Sequence, residues 1–205
     1  ENIDDFFEML NNLCDYNLNF SEKQKECNGI FIDIDRYNKM NDRVYDNEKL
    51  IEISIQGIQN LYAREDADWW ETEIGREISN GAFGENLTTS GIDVNAALIG
   101  ERWKIGTVIL EVSEPRIPCR VFAGFWDIPT LIKDFTNSRR SGAYLRIIQE
   151  GSIQIGDEIE IVSRPKHDVS IKDVFAAKSG ERGKITELKN VEQLSDDYKE
   201  WLAKL

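Results

Sequence analysis

The chain has 205 residues, of which 40% are hydrophobic and 31% are charged, so it is long enough for one domain with an appendage and can bury a core. Its 25 basic and 38 acidic residues give a net charge of −13. This charge repels phosphate backbones and anionic lipids, so we expect binding to neither nucleic acids nor membrane surfaces. No apolar run approaches the roughly 18 residues that a membrane-spanning helix needs.

The scarcity of histidine and cysteine excludes several classes of catalytic site. The single histidine, His167, is too few for a multi-histidine metal site, and a Ser-His-Asp triad would have to use this one imidazole. The three cysteines, Cys14, Cys27 and Cys119, form no CxxC pair, which excludes a zinc ribbon or a thioredoxin-type motif. An odd number of widely spaced thiols is typical of a reducing compartment, so we expect a cytoplasmic protein.

The first third of the chain combines helical and strand patterns. From Ala63 the pattern is helical, because acidic residues come early, where the helix dipole favours them, and Gly75 ends it. Trp69 and Trp70 on this helix are interpreted as residues of the core and its rim. Before this helix, the apolar patterns predict a helix within 1–20, a strand at 30–34, a loop at 36–49 and a strand at 51–55.

The rest of the chain is predicted to be a β-rich core followed by helices. Short strands separated by glycine turns favour a barrel or a sandwich over a βαβ sheet. The predicted strands are 103–105, 108–112, 144–148 and 159–162, with a helical insertion at 129–135. Beyond Pro165 the predicted helices are 171–177, 184–190 and 195–205. The predicted fold class is therefore mainly β with helices.

The segment SEPRIPCR, which ends at Arg120, is the strongest candidate for chemistry. It follows a strand, and its two prolines stiffen the loop that presents Cys119. Arg116 and Arg120 favour nearby anions and a thiolate, which makes Cys119 a candidate nucleophile or soft-metal ligand. The alternative is a buried, inert cysteine beside solvated arginines. Cys14 and Cys27 lack such surroundings and are interpreted as structural.

Two further segments are candidates for anion binding. In the glycine-rich turn at 81–88, backbone N–H groups can approach an anion, and Asn86 and Thr88 add polar contacts. Arg139 and Arg140 place two guanidinium groups before a strand, and guanidinium suits phosphate recognition. The alternatives are a plain turn and a solvated loop, respectively.

The ordered string of motifs resembles the MOSC domain, the module named after the C-terminal part of molybdenum-cofactor sulfurases. The resemblance rests on GAFGENLTTSGIDVNAALIGERWKIG, EVSEPRIPC and SGAYLRIIQEGSIQIGDEIEIVSRP. The helix YAREDADWWETEIG and the tail with HDVSIKDVF and YKEWL are similar to stand-alone bacterial MOSC proteins that end in a three-helix module. Three domains follow: an atypical N-terminal segment at 1–45, a MOSC barrel at 46–165 and a three-helix module at 166–205.

The resemblance implies a distorted β-barrel and a pyranopterin molybdenum cofactor. The motif cysteine that would hold the metal is Cys119. A pterin dithiolene leaves a coordination position for a thiolate, and a terminal phosphate favours arginines and backbone amides. The residues that the resemblance places near the cofactor are Gly84, Glu85, Asn86, Arg116, Arg140, Tyr144 and Arg146. We further expect Gly84, Asn86, Arg116 and Arg140 to converge on one pocket that contains Cys119.

The resemblance also implies a reductase of N-hydroxylated small molecules, such as hydroxylaminopurines. Because the sequence shows no site for flavin, NAD or an iron–sulfur cluster, electrons would come from an external electron-donor reductase. Binding of pyridoxal phosphate is not expected. The family has a His-Gly-Gly segment where this chain has Glu52, Ile53 and Ser54. This departure leaves two alternatives open, a non-catalytic carrier of the cofactor or of sulfur that uses a Cys119 persulfide, and a degenerate scaffold that binds neither.

Overall fold

The computed structural model describes residues 51–53 and 58–205. The elements predicted within 1–49, the atypical N-terminal segment at 1–45, and Cys14 and Cys27 lie outside the described residues. Within the described ranges, no helix is long and apolar enough to cross a membrane.

Eight strands and six helices make up the described part of the chain. The strands are β1 (Ile51–Ile53), β2 (Ile58–Ala63), β3 (Leu87–Thr89), β4 (Arg102–Ile105), β5 (Val108–Pro115), β6 (Ala143–Gln149), β7 (Gly151–Ile153) and β8 (Ile159–Ser163). The helices are α1 (Arg64–Ile74), α2 (Arg120–Trp126), α3 (Leu131–Ser138), α4 (Ile171–Lys178), α5 (Ile185–Leu188) and α6 (Asp196–Ala203).

Six of the strands form one mixed sheet that curls into a half-barrel. Their order is β3-β2-β6-β5-β4-β8, while β1 and β7 pair separately. All pairs are antiparallel except β2 with β3, which are parallel and are joined through α1. The predicted fold, mainly β with helices, is confirmed. The parallel β2–β3 pair is one crossover that the sequence analysis did not predict, because the three residues of β3 are too few to show a period.

The alternation of side chains along β2 separates two hydrophobic clusters. Leu61 and Ala63 face the larger cluster, in which the sheet packs against the C-terminal helices. Tyr62 points the opposite way, into an aromatic cluster formed by α1, α2, α3 and the turn around Phe83. In that cluster the ring of Phe83 meets the rings of Tyr62 and Phe122 edge to face, with centroids 5.0 and 5.4 Å apart. The aromatic cluster thus supports α2, the helix that Cys119 precedes.

Most of the predicted helices are present. In α1, Gly75 ends the helix with φ +64°, Trp70 is buried and Trp69 is half-buried, as predicted. The insertion predicted at 129–135 is found as α3, and the three helices predicted after Pro165 are found as α4, α5 and α6. Helix α2 was not predicted, because its seven residues include Gly124 and follow a proline-rich loop.

Candidate functional site

The site is built where β5 ends beside the start of β6. Pro115, the last residue of β5, lies opposite Ala143 in the sheet. The next residue, Arg116, donates its backbone N–H to the carbonyl oxygen of Gly142 over 3.5 Å. Three residues later Cys119 precedes the first residue of α2. The sheet register therefore brings the cysteine motif next to the segment that contains Arg140, although more than twenty residues separate them in sequence.

The turn at 84–86 is fastened to β2 by a ring of hydrogen bonds. The backbone N–H of Asn60 donates to Asn86 Oδ1 over 3.0 Å, and Asn86 N–H donates to the carbonyl of Asn60 over 2.7 Å. The side chain of Asn60 donates from Nδ2 to the carbonyl of Gly84 over 3.1 Å. A Cβ placed on Gly84 would lie 3.8 Å from Arg116 Nη2, so this turn and Arg116 are in contact. Three predicted site residues, Gly84, Asn86 and Arg116, therefore lie together.

Glu85 shapes the same turn from inside. Its buried carboxylate accepts hydrogen bonds from the backbone N–H groups of Gly81 and Phe83, over 2.7 and 3.1 Å, and from Thr88 Oγ1 over 3.1 Å. Burial raises the pKa of Glu85, although these hydrogen bonds and the charge of Arg116 oppose the shift. Because both carboxylate oxygens accept hydrogen bonds within the turn, Glu85 positions the turn, and its expected contact with the cofactor stays a prediction.

Arg116 carries a donor that the described residues leave without an acceptor. Its guanidinium carbon lies 4.8 Å from the centre of the Phe122 ring, so the group stacks on the first turn of α2. Among the described residues nothing accepts a hydrogen bond from its buried Nη1 atom. A buried donor without an acceptor costs free energy, and such groups in native proteins are usually satisfied by a water, an ion or a ligand.

Cys119 carries the thiol of the site. Its side chain is exposed, while its carbonyl oxygen accepts a hydrogen bond from Ala123 N–H over 3.1 Å in the first turn of α2. The backbone of Cys119 is extended, with φ −121° and ψ 171°. Accessibility, which a metal ligand or a persulfide requires, is therefore present.

Arg140 contacts residues of β2 and α1. Its guanidinium forms a salt bridge with the buried carboxylate of Asp66 and lies 4.8 Å from the ring centre of Trp69, and its carbonyl accepts a hydrogen bond from the Tyr62 hydroxyl over 2.7 Å. Burial raises the pKa of Asp66, although hydrogen bonds from Asn95 and Arg140 oppose this. The arginine is thus committed to a charge partner within the protein.

A cleft of ≈ 530 Å³ opens beside Arg140. It is lined by Ala63, Glu65, Asp66, residues 91–95, residues 138–140 and Lys172. Gly84, Asn86, Arg116 and Cys119 do not line this cleft. The expected single pocket shared by all five residues therefore stays a prediction, supported by the hydrogen bond between Arg116 and Gly142 and not by the cleft itself.

Arg146 and Tyr144 occupy the polar face of β6. Arg146 Nη1 donates to Glu111 Oε1 over 3.1 Å, and its Nη2 donates to Ser113 Oγ over 3.3 Å and to the carbonyl of Gln193 over 2.6 Å. The bond to Gln193 connects the sheet to the segment before α6. The structure gives Arg146 a role in joining the sheet to the tail, and the expected contact of both residues with the cofactor stays a prediction.

Asn60 and Tyr62 are buried polar residues that the sequence analysis did not single out. Asn60 is 8% exposed and Tyr62 is fully buried. Burial raises the pKa of Tyr62, and nearby Asp66 adds to the shift while Arg116 opposes it. The available signal was an asparagine within the strand pattern IQNLYA, since a strand interior disfavours asparagine unless its amide is hydrogen-bonded.

Comparison with known proteins identifies the family of the chain. The sequence model of the MOSC domain family matches residues 58–160. The chain belongs to the MOSC domain family. Its relatives include YflK of Bacillus subtilis, 30% identical over 55% of this chain and 51% of that protein. A protein named Reductase from Gibberella moniliformis is 37% identical over 46% of this chain and 17% of that protein. The chain thus spans about half the length of YflK and a smaller part of the reductase.

A solved structure supports the same MOSC fold. The crystal structure of YiiM from Geobacillus stearothermophilus superimposes with a TM-score of 0.69 at 27% sequence identity. The match covers 76% of this chain and 84% of the YiiM chain. It extends over more of the chain than the MOSC domain match, so the fold is shared over a wider range than the family model describes.

The donor set of this MOSC site fits a cofactor that brings its own metal ligands. Within the described residues, no three His, Cys, Asp or Glu side chains cluster as a metal site would require. The described residues therefore offer no site for a metal held by side chains alone. A metal already bound by a pterin dithiolene needs only one further soft ligand. The thiol of Cys119 is a soft donor of that kind, and Arg116 Nη1, which has no acceptor among the described residues, lies within the same motif.

Proposed function

We propose that this MOSC protein binds a pyranopterin molybdenum cofactor through Cys119 and reduces N-hydroxylated small molecules, such as hydroxylaminopurines. The observation that carries the proposal is an exposed thiol three residues after an arginine whose buried Nη1 has no acceptor among the described residues. The relative named Reductase favours a redox reaction over simple carriage, and the family association with the molybdenum cofactor favours the metal.

The reaction needs a two-electron reductant. The N–O bond of the substrate breaks, two electrons and two protons are taken up, the oxygen leaves as water and an N–H bond remains. The bound molybdenum cofactor supplies this two-electron oxygen-transfer chemistry. Since we expect no flavin, NAD or iron–sulfur site in this chain, an external electron-donor reductase would supply the electrons.

The residues of the chain would bind and orient. The Cys119 thiolate would hold the metal, and Arg116 would donate hydrogen bonds to an oxygen of the cofactor or substrate. Gly84, held at φ +81°, keeps the approach to Arg116 open because it has no side chain. Asn86 fixes that turn to β2, and Arg140, whose charge is balanced by Asp66, would offer its remaining guanidinium N–H donors at the next segment.

The second candidate is a carrier that passes sulfur through a Cys119 persulfide without turning over substrate. The exposure of the thiol favours it, because a persulfide must be reached by both a sulfur donor and an acceptor. The absence of the family's His-Gly-Gly segment from the sequence also leaves this function open.

Turnover by matched cysteine variants separates the two functions. The full chain would be produced in a cofactor-producing host and assayed anaerobically with 6-hydroxylaminopurine and a chemically reduced dye as electron donor. We expect turnover by the wild type, by Cys14→Ser and by Cys27→Ser, and none by Cys119→Ser, because a hydroxyl stays protonated and is a harder ligand. A persulfide on Cys119 by mass spectrometry, without turnover, would establish the carrier instead.

A further inference from the structure

We infer that Asn60 and Arg116 form a paired recognition site for a ligand edge that carries an N–H or O–H donor beside an oxygen acceptor. A lactam of a pterin and a hydroxamic acid both present this edge. The inference deepens the proposed function and rests on it for the location of the site. It assigns a role to Asn60.

Asn60 Oδ1 is a buried acceptor whose orientation is fixed. The side chain is 8% exposed, and its Nδ2 donates to the carbonyl of Gly84 over 3.1 Å. This bond decides which end of the amide is oxygen, since the carbonyl of Gly84 accepts only from a donor. Its Oδ1 atom has no hydrogen-bond partner within the described part of the protein. One strong acceptor is therefore left unsatisfied at this position.

Arg116 offers the complementary group at the same turn. In the described ranges, six buried side-chain atoms have no partner, and they include Asn60 Oδ1 and Arg116 Nη1. Both residues adjoin Gly84: Asn60 through its hydrogen bond, and Arg116 through Nη2, 3.8 Å from where a Cβ would be. An acceptor and a donor without partners among the described residues thus belong to two side chains that both adjoin Gly84.

The chemistry of the pair selects a class of ligand. An unpartnered buried polar atom destabilises the free protein, so both atoms favour a molecule that satisfies them together. Asn60 Oδ1 accepts from N–H or O–H, and the charged Arg116 favours an oxygen with negative character. A carboxylate ligand satisfies only Arg116, because it has no donor for Asn60. The pair therefore discriminates a lactam or hydroxamic acid from a simple carboxylic acid.

Titration of the full chain, produced without molybdenum cofactor, tests the pair without any turnover. The probes are pterin, benzohydroxamic acid and, as the probe without a donor, benzoate. We expect calorimetry to show that the wild type binds at least one of the first two more tightly than benzoate. Asn60→Leu and Arg116→Met should each weaken that binding by about tenfold, which corresponds to about 1.4 kcal/mol. If the two substitutions weaken the binding of pterin alone, the recognised edge belongs to the cofactor. If they weaken the binding of benzohydroxamic acid alone, it belongs to the substrate.

Asn95 supplies the matched control. Its Nδ2 donates to Asp66 Oδ2 over 2.6 Å and its Oδ1 accepts from Ser141 N–H over 3.0 Å, so its amide is used within the protein. Asn95→Leu should lower the Tm and leave probe binding unchanged. Asn60→Leu should leave the Tm near that of the wild type, because it removes an unsatisfied acceptor along with one hydrogen bond. Should Asn60→Leu not fold, Asn60→Ser and Arg116→Met provide the same binding test.

Several results would overturn the inference. They are a wild type that binds neither pterin nor benzohydroxamic acid at millimolar concentration, benzoate binding as tightly as both, or an Asn60→Leu variant that loses as much Tm as Asn95→Leu with unchanged probe binding. Cys119→Ser should bind the probes like the wild type, because they contain no metal. A wild type that binds the probes but no molybdenum therefore counts against the proposed function, and a wild type that binds molybdenum but none of the probes counts against the Asn60–Arg116 pair.

Discussion

Glu85 shows how one buried carboxylate organises the turn that faces Arg116. Because burial raises its pKa in the folded chain above the unfolded value of about 4.3, the folded state binds the proton more tightly. This contribution to stability is fully present below the unfolded pKa and is lost as the pH rises through the folded pKa. Glu85 is therefore expected to stabilise the folded chain less at neutral pH than at acidic pH.

Replacement of Glu85 by Gln tests this balance. The amide of Gln can donate but cannot accept at its nitrogen, so it loses one of the three hydrogen bonds that Glu85 accepts. We expect Glu85→Gln to be less stable than the wild type, with a deficit that becomes smaller as the pH rises from 4 to 8. Chemical denaturation at several pH values measures it. A deficit that grows with pH would contradict the raised pKa.

Gly142 occupies a position of the site that has no room for a side chain. It has φ +68°, and a Cβ would lie 2.6 Å from the carbonyl oxygen of Leu61 and 2.7 Å from Cδ2 of the Tyr62 ring. We expect Gly142→Ala to lower the free energy of unfolding by more than about 2 kcal/mol, from left-handed strain plus contact with the backbone. Gly75→Ala is the control, since its φ is +64° and nothing lies within 4 Å. A control that costs as much as Gly142→Ala would show that φ alone matters.

At the scale of elements, α4 is fastened at its first turn by Asp173. Its carboxylate accepts from the Ser170 backbone N–H and hydroxyl, over 2.9 and 2.6 Å, and lies 3.2 Å from Lys184 Nζ. Burial alone would raise the pKa of Asp173, but the hydrogen bonds from Ser170 and Lys184 outweigh it and lower the pKa overall. This group therefore adds stability above its unfolded pKa, a contribution that is lost as the pH falls through the folded pKa.

Asp173→Asn should accordingly destabilise the chain by about 1 kcal/mol at pH 7, the usual size of a helix-cap effect. Thermal unfolding at pH 7 and at pH 3 would show a smaller deficit in acid, because the lowered pKa of Asp173 places the loss of its contribution at acidic pH. The control is Asp196→Asn in the first turn of α6, where the exposed carboxylate pairs with Lys199 only at 3.8 Å. Equal losses of stability in Asp173→Asn and Asp196→Asn would contradict the proposed anchoring of α4.

The elements that the sequence predicted are those with a strong period or a clear end signal. Helix α1 shows both, since a helical pattern begins near Ala63 and Gly75 adopts the left-handed conformation that ends it. Strand β3 and helix α2 were missed because three and seven residues are too short for a period to appear. Their positions depend on long-range contacts, such as the packing of Phe122 against Phe83, which a local pattern does not contain.

The residues of the candidate site also differ in whether the sequence alone predicts them. The motif around Cys119 and Arg116 was predictable because residue type and proline stiffening carry the signal within a few positions. Asn60 was not, since its importance depends on which atoms remain unsatisfied after folding. Arg146 and Glu85 also take their observed roles from partners that only the folded chain brings to them, Gln193 for the first and the backbone of the turn for the second.

At the scale of the whole molecule, the sheet and the C-terminal helices share one core. The buried residues that the tail contributes to it are Val169, Ile171, Val174, Ala177, Leu188, Val191, Leu194, Tyr198 and Leu202. Arg146 and Glu114 on the sheet also hydrogen-bond to the tail, through Gln193 and Ser195. The tail is therefore expected to be part of the folding unit and not an independent module.

Deletion of residues 166–205 should abolish cooperative thermal unfolding, because it would expose one side of the main core. Deletion of residues 204–205 is the control, since Leu205 is 47% exposed and lies outside that core. Circular dichroism during heating measures both chains. A sharp transition in the long deletion, at a Tm close to that of the full chain, would show that the sheet folds without the tail.

The central claim is that Cys119 binds the molybdenum of a pterin cofactor, and metal content tests it most directly. Wild type and Cys119→Ser would be purified from the same cofactor-producing host and analysed for molybdenum and pterin per chain. The substitution is nearly isosteric at an exposed side chain, so it should change stability by less than about 0.5 kcal/mol. We predict close to one molybdenum per wild-type chain and almost none in Cys119→Ser. Equal molybdenum in both proteins, or none in the wild type, would contradict the claim.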